Sequence, residues 1–168
     1  MRKTIIALLL PMLLITISCE TAPGPDNAAS EAQSEMWRVE IVSYEVTDSL
    51  QTTVAAVQYG GGVVTTENLI EPARGNSFLL LKLSIEKIGA GRAVFSWNDA
   101  HISDGSGSVY LRHQNDTFLA NLNIPRISST DIVFGQEHGY VCFEIPSNAD
   151  NLRFIADEGS ISIALHVK

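Results

Sequence analysis

Cysteine is nearly absent from this sequence, with two in 168 residues, at positions 19 and 142. Two thiols allow at most one disulfide, and neither stands in a C-x-x-C or zinc-ligand spacing, so a disulfide-stapled miniprotein and a zinc finger are excluded. Basic residues are also few: 11 Lys and Arg against 19 Asp and Glu give a formal charge of −8. A general nucleic-acid binder needs a cationic surface to displace counterions from phosphates, so no nucleic-acid partner is expected. Aromatics make up 7% and charged residues 18% of the chain, while 45% is hydrophobic. That balance excludes wholesale disorder and a collagen-like fibre. No apolar run reaches the roughly 20 residues that a membrane-spanning helix takes. The length itself fits one domain.

What is present begins at the amino terminus. Arg2 and Lys3 form a short basic region, and Thr4 to Ile17 is apolar apart from Pro11. This is the layout of a secretory signal peptide. The run ends at Ile15-Thr16-Ile17-Ser18-Cys19. That segment resembles the lipobox of bacterial lipoproteins, in which a small residue precedes a cysteine that is lipidated and becomes the mature N-terminus. Ser18 and Ile17 match the pattern, and Thr16 stands where an aliphatic residue is usual. The resemblance implies a signal peptide over residues 1–18, lipid on Cys19, and an extracytoplasmic domain held at the membrane by that lipid. Removing residues 1–18 takes away Arg2 and Lys3 and no acidic group, leaving 9 basic and 19 acidic side chains. With Cys19 lipidated, Cys142 is the remaining thiol and no intramolecular disulfide can form.

Residues 19–36 read as the lipidated cysteine followed by a flexible acidic linker. Glu20 to Glu35 holds no aromatic and no large aliphatic side chain. Such a segment cannot bury enough apolar surface to offset the entropy of ordering it. As a coil it reaches roughly 20–25 Å on average.

From Trp37 onward the hydrophobic period is close to two, which predicts an all-β domain over residues 37–168. Ile161, Ile163, Leu165 and Val167 alternate with polar or small residues, the pattern of a strand with one packed and one solvated face. Trp37, Val39 and Ile41 begin the same way, and apolar character continues through Val42, Tyr44 and Val46. Phe78 to Ile85 is apolar nearly throughout, as a central strand covered on both faces would be. Further strands are expected at Ala93–Ile102, Val109–Arg112, Thr117–Leu122, Gly139–Ile145 and Asn151–Ala156, separated by turns such as Asp104-Gly105-Ser106-Gly107 and Asn115-Asp116. Val54–Gln58 and Val63–Ile70, flanking Gly60-Gly61-Gly62, admit either a hairpin or a loop. No segment carries the spacing of a stable helix. Seven to nine short strands with turns between them predict a sandwich or barrel.

Gly75 followed by Phe78-Leu79-Leu80-Leu81, Asp104-Gly105 followed by Tyr110, and Gly135 followed by Gly139 through Phe143-Glu144-Ile145-Pro146 are three recurrent features of one family. Over Gly75 to Leu165 the chain resembles a domain family of unknown function with an immunoglobulin-like sandwich, common in bacterial lipoproteins and related to a secreted mycobacterial antigen. Lys87-Ile88-Gly89 departs from it, since an asparagine usually follows the first of these strands. The family has no agreed activity, so the resemblance implies an antiparallel immunoglobulin-like sandwich and a place in the cell envelope.

The chemistry-bearing residues form no catalytic set. His138 and Cys142 are four apart on a strand, about 13 Å, beyond the reach of a thiol–imidazole hydrogen bond. Cys142 between Val141 and Phe143 reads as a small buried hydrophobe. Asp-Gly-Ser-Gly-Ser at 104–108 lacks the strand–turn–helix context of a nucleophile elbow. Asp99, His101 and Asp104, with His113 across a hairpin, are weak candidates for metal ligands; calcium would want more oxygens and zinc more His or Cys. No cofactor is expected. The leading expectation is a non-enzymatic binding or interaction module that meets a protein partner through its loops or an open sheet edge. The alternative is a small-ligand or metal-ion carrier at the envelope.

Overall fold

Asn76–Lys87 (β5) has the most apolar stretch of the described residues, and the fold is assembled on it. This computed structural model describes residues 30–57, 63–114, 116–122 and 124–166. The expected signal peptide, Cys19 and the linker as far as residue 29 lie outside them. Trp37–Thr47 (β2) and Gln136–Pro146 (β10) flank β5, each antiparallel to it. Ser30–Gln33 (β1) pairs with β2 and completes a four-stranded sheet in the order β1-β2-β5-β10. The second sheet runs β12-β11-β7-β8, from Ile161–Ala164 (β12), Arg153–Ala156 (β11), His101–Ser103 (β7) and Val109–Leu111 (β8). These two antiparallel sheets form the expected immunoglobulin-like sandwich. Two small ladders accompany it: Leu50–Val57 (β3) with Val63–Ile70 (β4), and Phe95–Ser96 (β6) with Asp131–Ile132 (β9).

Alternation along each strand decides what enters the core. Val39, Ile41, Leu79, Leu81, Leu83, Ile85, Val141, Phe143 and Ile145 project from the first sheet onto Ile102, Phe154, Ala156, Ile161 and Ile163 of the second. Phe143 and Phe154 meet edge to face at 6.4 Å, the arrangement their quadrupoles favour. The opposite face of β5 is covered only in part. Phe78, Leu80 and Cys142 lie beneath Leu50 and Leu119 in a second cluster, while Lys82, Ser84 and Glu86 further along are only half-buried. The continuous apolar run is therefore doubly covered over its first half, which is where the sequence is most apolar.

The slip from odd to even positions in β2 is a β-bulge. Trp37, Val39 and Ile41 keep one phase, the register shifts between Ile41 and Ser43, and Tyr44 then faces Leu81. The Tyr44 hydroxyl donates to the His166 carbonyl at 2.8 Å, so the bulge brings the ring to the last strand's exit.

Three expectations are corrected. Residues 30–33, assigned to the linker, are an edge strand, because Ala32 packs on the core and Glu31 lies 3.2 Å from the Arg38 guanidinium. Backbone pairing and one rim charge hold this strand, and neither leaves a hydropathy signal. Thr117–Leu122, expected as a strand, contains a single helical turn, Phe118–Asn121 (α1), with Phe118, Leu119 and Leu122 against the second cluster. Ala93–Ile102 is two short strands, since Asn98-Asp99 turn the chain back on Ser96. The segment left open between hairpin and loop is the β3–β4 hairpin, seated through Leu50 and Ile70.

Cys142 is fully buried, and desolvation pushes its thiol up to about 12. It is expected to resist an aromatic disulfide reagent at pH 8 in the native chain and to react fully once the chain is unfolded in guanidinium. Reaction at the rate of an exposed thiol in native buffer would contradict its placement.

Candidate functional site

The most polar construction in the domain lies where β8 leaves the second sheet. Arg112 bridges antiparallel to Phe143 on β10, so the chain passes from one sheet to the other at this point. Its guanidinium lies 4.7 Å from the Trp97 ring, a cation–π distance. Nε and Nη2 donate to Asp116 Oδ2 at 2.9 and 2.7 Å, and Nη2 also donates to the Ile127 carbonyl. Arg126 Nη1 donates to the other carboxylate oxygen at 2.9 Å. Asp116 is only 4% exposed, which such a charge tolerates when its lone pairs are filled. Two guanidinium groups thus share one carboxylate, and the cluster retains one formal positive charge in an otherwise acidic domain.

Gly139 explains how Arg126 reaches this position. A Cβ there would stand 2.8 Å from the Pro125 carbonyl oxygen and 2.9 Å from the Ile127 nitrogen. Only glycine lets the 125–127 segment lie against β10, where Tyr140 N–H donates to the Pro125 carbonyl and Ile127 N–H donates to the Tyr140 carbonyl. Beside the cluster is a cleft of about 290 Å³, lined by Trp97, Asn98, Leu111, Arg112, His113, Gln114, Asp116, Arg126, Ser128, Ser129 and Thr130. Cationic guanidinium, side-chain amides and the Ser128 and Thr130 hydroxyls supply hydrogen-bond donors. The Ser129 hydroxyl is held by Glu137.

The four candidate metal ligands are not brought together. Asp104 is committed to its own turn: Oδ1 accepts from Ser106 N–H, Ser106 Oγ and Ser108 N–H, while Oδ2 accepts from Tyr110 at 2.6 Å. His101 Nδ1 lies 3.2 Å from the Asp99 carbonyl. The β7–β8 register would set His113 opposite Asp99 if the ladder continued. It stops, because Arg112 turns onto β10 and His113 N–H donates to the Cys142 carbonyl at 2.8 Å. His113 then stands 4.0 Å from Glu144 and edge-on to Phe118. Among the described residues no three of His, Cys, Asp and Glu are grouped as a metal site. The hydrogen bond from Asn76 holds the Glu144 carboxyl below its ordinary range, with the Ala73 N–H and His113 adding to it.

The sheet edges are β1 and β10 in one sheet and β12 and β8 in the other. β1 lies beside β12, and β8 beside β10, where the Arg112–Phe143 bridge joins the two sheets.

Hydrogen bonds from Ser106 and Tyr110 hold the Asp104 carboxyl at about 2. A carboxylate with a depressed folded pKa stabilises the fold above its unfolded value and loses that contribution as pH falls through the folded one. The stability difference between the native chain and Asp104→Asn should therefore be constant from pH 7 to about 5 and shrink between about pH 4 and pH 2. A difference unchanged across that window in denaturant melts would show that Asp104 does not order the turn.

Arg112, Asp116, Arg126 and Trp97 were not singled out by the sequence. Asp116 reads there as turn chemistry, and the two arginines stand fourteen positions apart with no shared motif. The available signal was scarcity: Arg112 and Arg126 are two of few cations in an acidic domain, and one lies four residues from an aspartate.

No family model matches the chain, and no curated protein is significantly similar to it in sequence. Among solved structures it is similar to a conserved hypothetical protein from Bacillus anthracis, known from a 2.2 Å crystal structure. The two share 7% identity with a TM-score of 0.53, over 82% of this chain and 92% of that one. At that identity the likeness is one of fold alone, and the chain's own two antiparallel sheets set its class, an all-β sandwich.

Proposed function

We propose that this chain is an extracytoplasmic lipoprotein, anchored by lipid on Cys19, whose sandwich is a non-enzymatic binding module. The amino-terminal sequence supports the export and anchoring, and the resemblance over Gly75 to Leu165 supports a place among envelope immunoglobulin-like domains. The cleft beside Arg112 and Arg126 carries the binding function. It combines one surplus positive charge with amide and hydroxyl donors, and its walls are fixed by the buried Asp116. A group with an anionic acceptor, such as a carboxylate on a small molecule or at a chain terminus, complements it. In this reading the module is non-enzymatic and holds its ligand unchanged.

Titration of the isotopically labelled chain with acetate and with N-acetylated amino acids tests this reading by NMR. Shifts are expected at the Trp97 indole, the Arg112 Nε–H and the Ser128–Thr130 amides, and they should vanish in Arg126→Gln. Shifts scattered over the surface, or none at these groups, would contradict it.

A further inference from the structure

The β3–β4 hairpin stands apart from both sheets of the sandwich, and among the described residues its strands form a ladder only with each other. Each strand therefore keeps one open edge of backbone N–H and C=O groups, eight residues or about 26 Å long. Elsewhere the chain blunts its edges. β1, β8 and β12 are four, three and four residues long, and β1 carries Glu31. Short strands and charges are the usual guards against edge-to-edge pairing. β3 has neither. Leu50-Gln51-Thr52-Thr53-Val54-Ala55-Ala56-Val57 contains no charged residue and no proline. It pairs with β4 one to one at all eight positions, so no bulge twists the edge away. The hairpin is seated at its base through Leu50 and Ile70 in the second cluster. A two-stranded ladder is marginal in water by itself, and further strands stabilise it.

The two edges differ in charge, and that difference selects the occupant. Glu67 is exposed in the middle of β4, where its carboxylate accepts from the Gln51 amide at 3.3 Å. A strand added beside β3 meets no charge and needs none in return. β3 is itself such a strand. Two copies of it laid antiparallel about a twofold axis set an uncharged edge on an uncharged edge, although each chain has a formal charge of −8. Full antiparallel overlap of β4 with its own copy would instead bring the two Glu67 side chains together, and like charges across a ladder destabilise it. Addition therefore stops after one step. β3 joins β3, and Glu67 on each outer strand discourages a third chain, which gives a closed pair and not a fibre.

We propose that β3 pairs antiparallel with β3 of a second copy of this chain, joining two domains through a four-stranded sheet in the order β4-β3-β3-β4. The pairing is independent of the cleft beside Arg112 and Arg126, and each dimer carries two such clefts.

The test measures the protein mass of the full chain in detergent solution by sedimentation. Ala55→Lys is compared with Thr65→Lys, because the two positions are ladder partners on β3 and β4. The native chain and Thr65→Lys are expected to sediment as dimers. Ala55→Lys should weaken the dimer about fivefold or more, by setting two lysines close to the axis. Cross-linking reads the same edge without adding charge. With a short bismaleimide, Val54→Cys should give several-fold more covalent dimer than Thr66→Cys, its ladder partner on β4, or the native chain, whose Cys142 is buried. A native chain that is monomeric at every concentration, or a dimer weakened equally by both lysines, overturns the pairing. So does a dimer indifferent to Ala55→Lys but lost in Phe134→Ser, which would move the contact to that exposed side chain. Adducts of Val54→Cys with another protein, and none with its own copy, overturn the second copy as occupant.

Discussion

Asp116→Asn is expected to lower folding stability by about 3 kcal/mol, because it leaves two guanidinium groups packed around a neutral amide. For a domain of this size that corresponds to a fall in melting temperature on the order of 10 °C. The asymmetry of the cluster sharpens the expectation. The Arg112 and Arg126 side chains are 13% and 25% exposed, and Asp116 accepts from both. Arg126→Gln removes only the more exposed cation and keeps the two-pronged Arg112 pairing, so it should cost about 1 kcal/mol. Denaturant melts of the two variants decide the matter. If Asp116→Asn cost no more than Arg126→Gln, the cluster would not be the pin that holds residues 112–127 across the sheet end, and the cleft walls would lack their support.

Trp37→Ala is expected to cost about 4 kcal/mol, the range for truncating a fully buried large aromatic. Trp37 is 0% exposed and packs edge-on to Phe95 at 5.6 Å, with Lys87 Nζ 5.9 Å from the ring centre. Its indole N–H is buried and has no acceptor among the described residues. Trp37→Phe therefore deletes volume and no hydrogen bond, and should cost about 1.5 kcal/mol. Chemical denaturation of both variants separates packing from polarity here. A Phe variant as damaged as the Ala variant would mean that the indole nitrogen has a partner that the packing does not reveal.

The fold was legible wherever period-two patterning ran long. The central strand at Phe78–Ile85 reads directly, as do the alternation at Ile161–Leu165 and the turn at Asp104-Gly105, because one physical cause shaped each. The bulge in β2 was not read from the sequence, which shows there only apolar character continuing from Ile41 through Val42 and Tyr44. Short elements were less legible. Four residues of α1 are fewer than the window in which a helical period can show, and β1 is held by its backbone and a rim charge. The candidate site was the least legible part. Arg112 and Asp116 look like a strand end and a turn until β8 crosses to β10, and Arg126 joins them only because Gly139 admits its backbone. The same crossing separates His113 from Asp99 and His101, which a hairpin drawn from sequence alone keeps together.

Photocrosslinking in membranes of the producing cell tests the central claim most directly. A benzophenone amino acid at Ser128, an exposed position in the cleft lining, is compared with one at Asn148, exposed and outside it. The account predicts a discrete adduct at 128 that is lost when Arg126→Gln is added and is absent at 148. Equal adducts at both positions, or an adduct at 128 indifferent to Arg126, would contradict a cleft that binds.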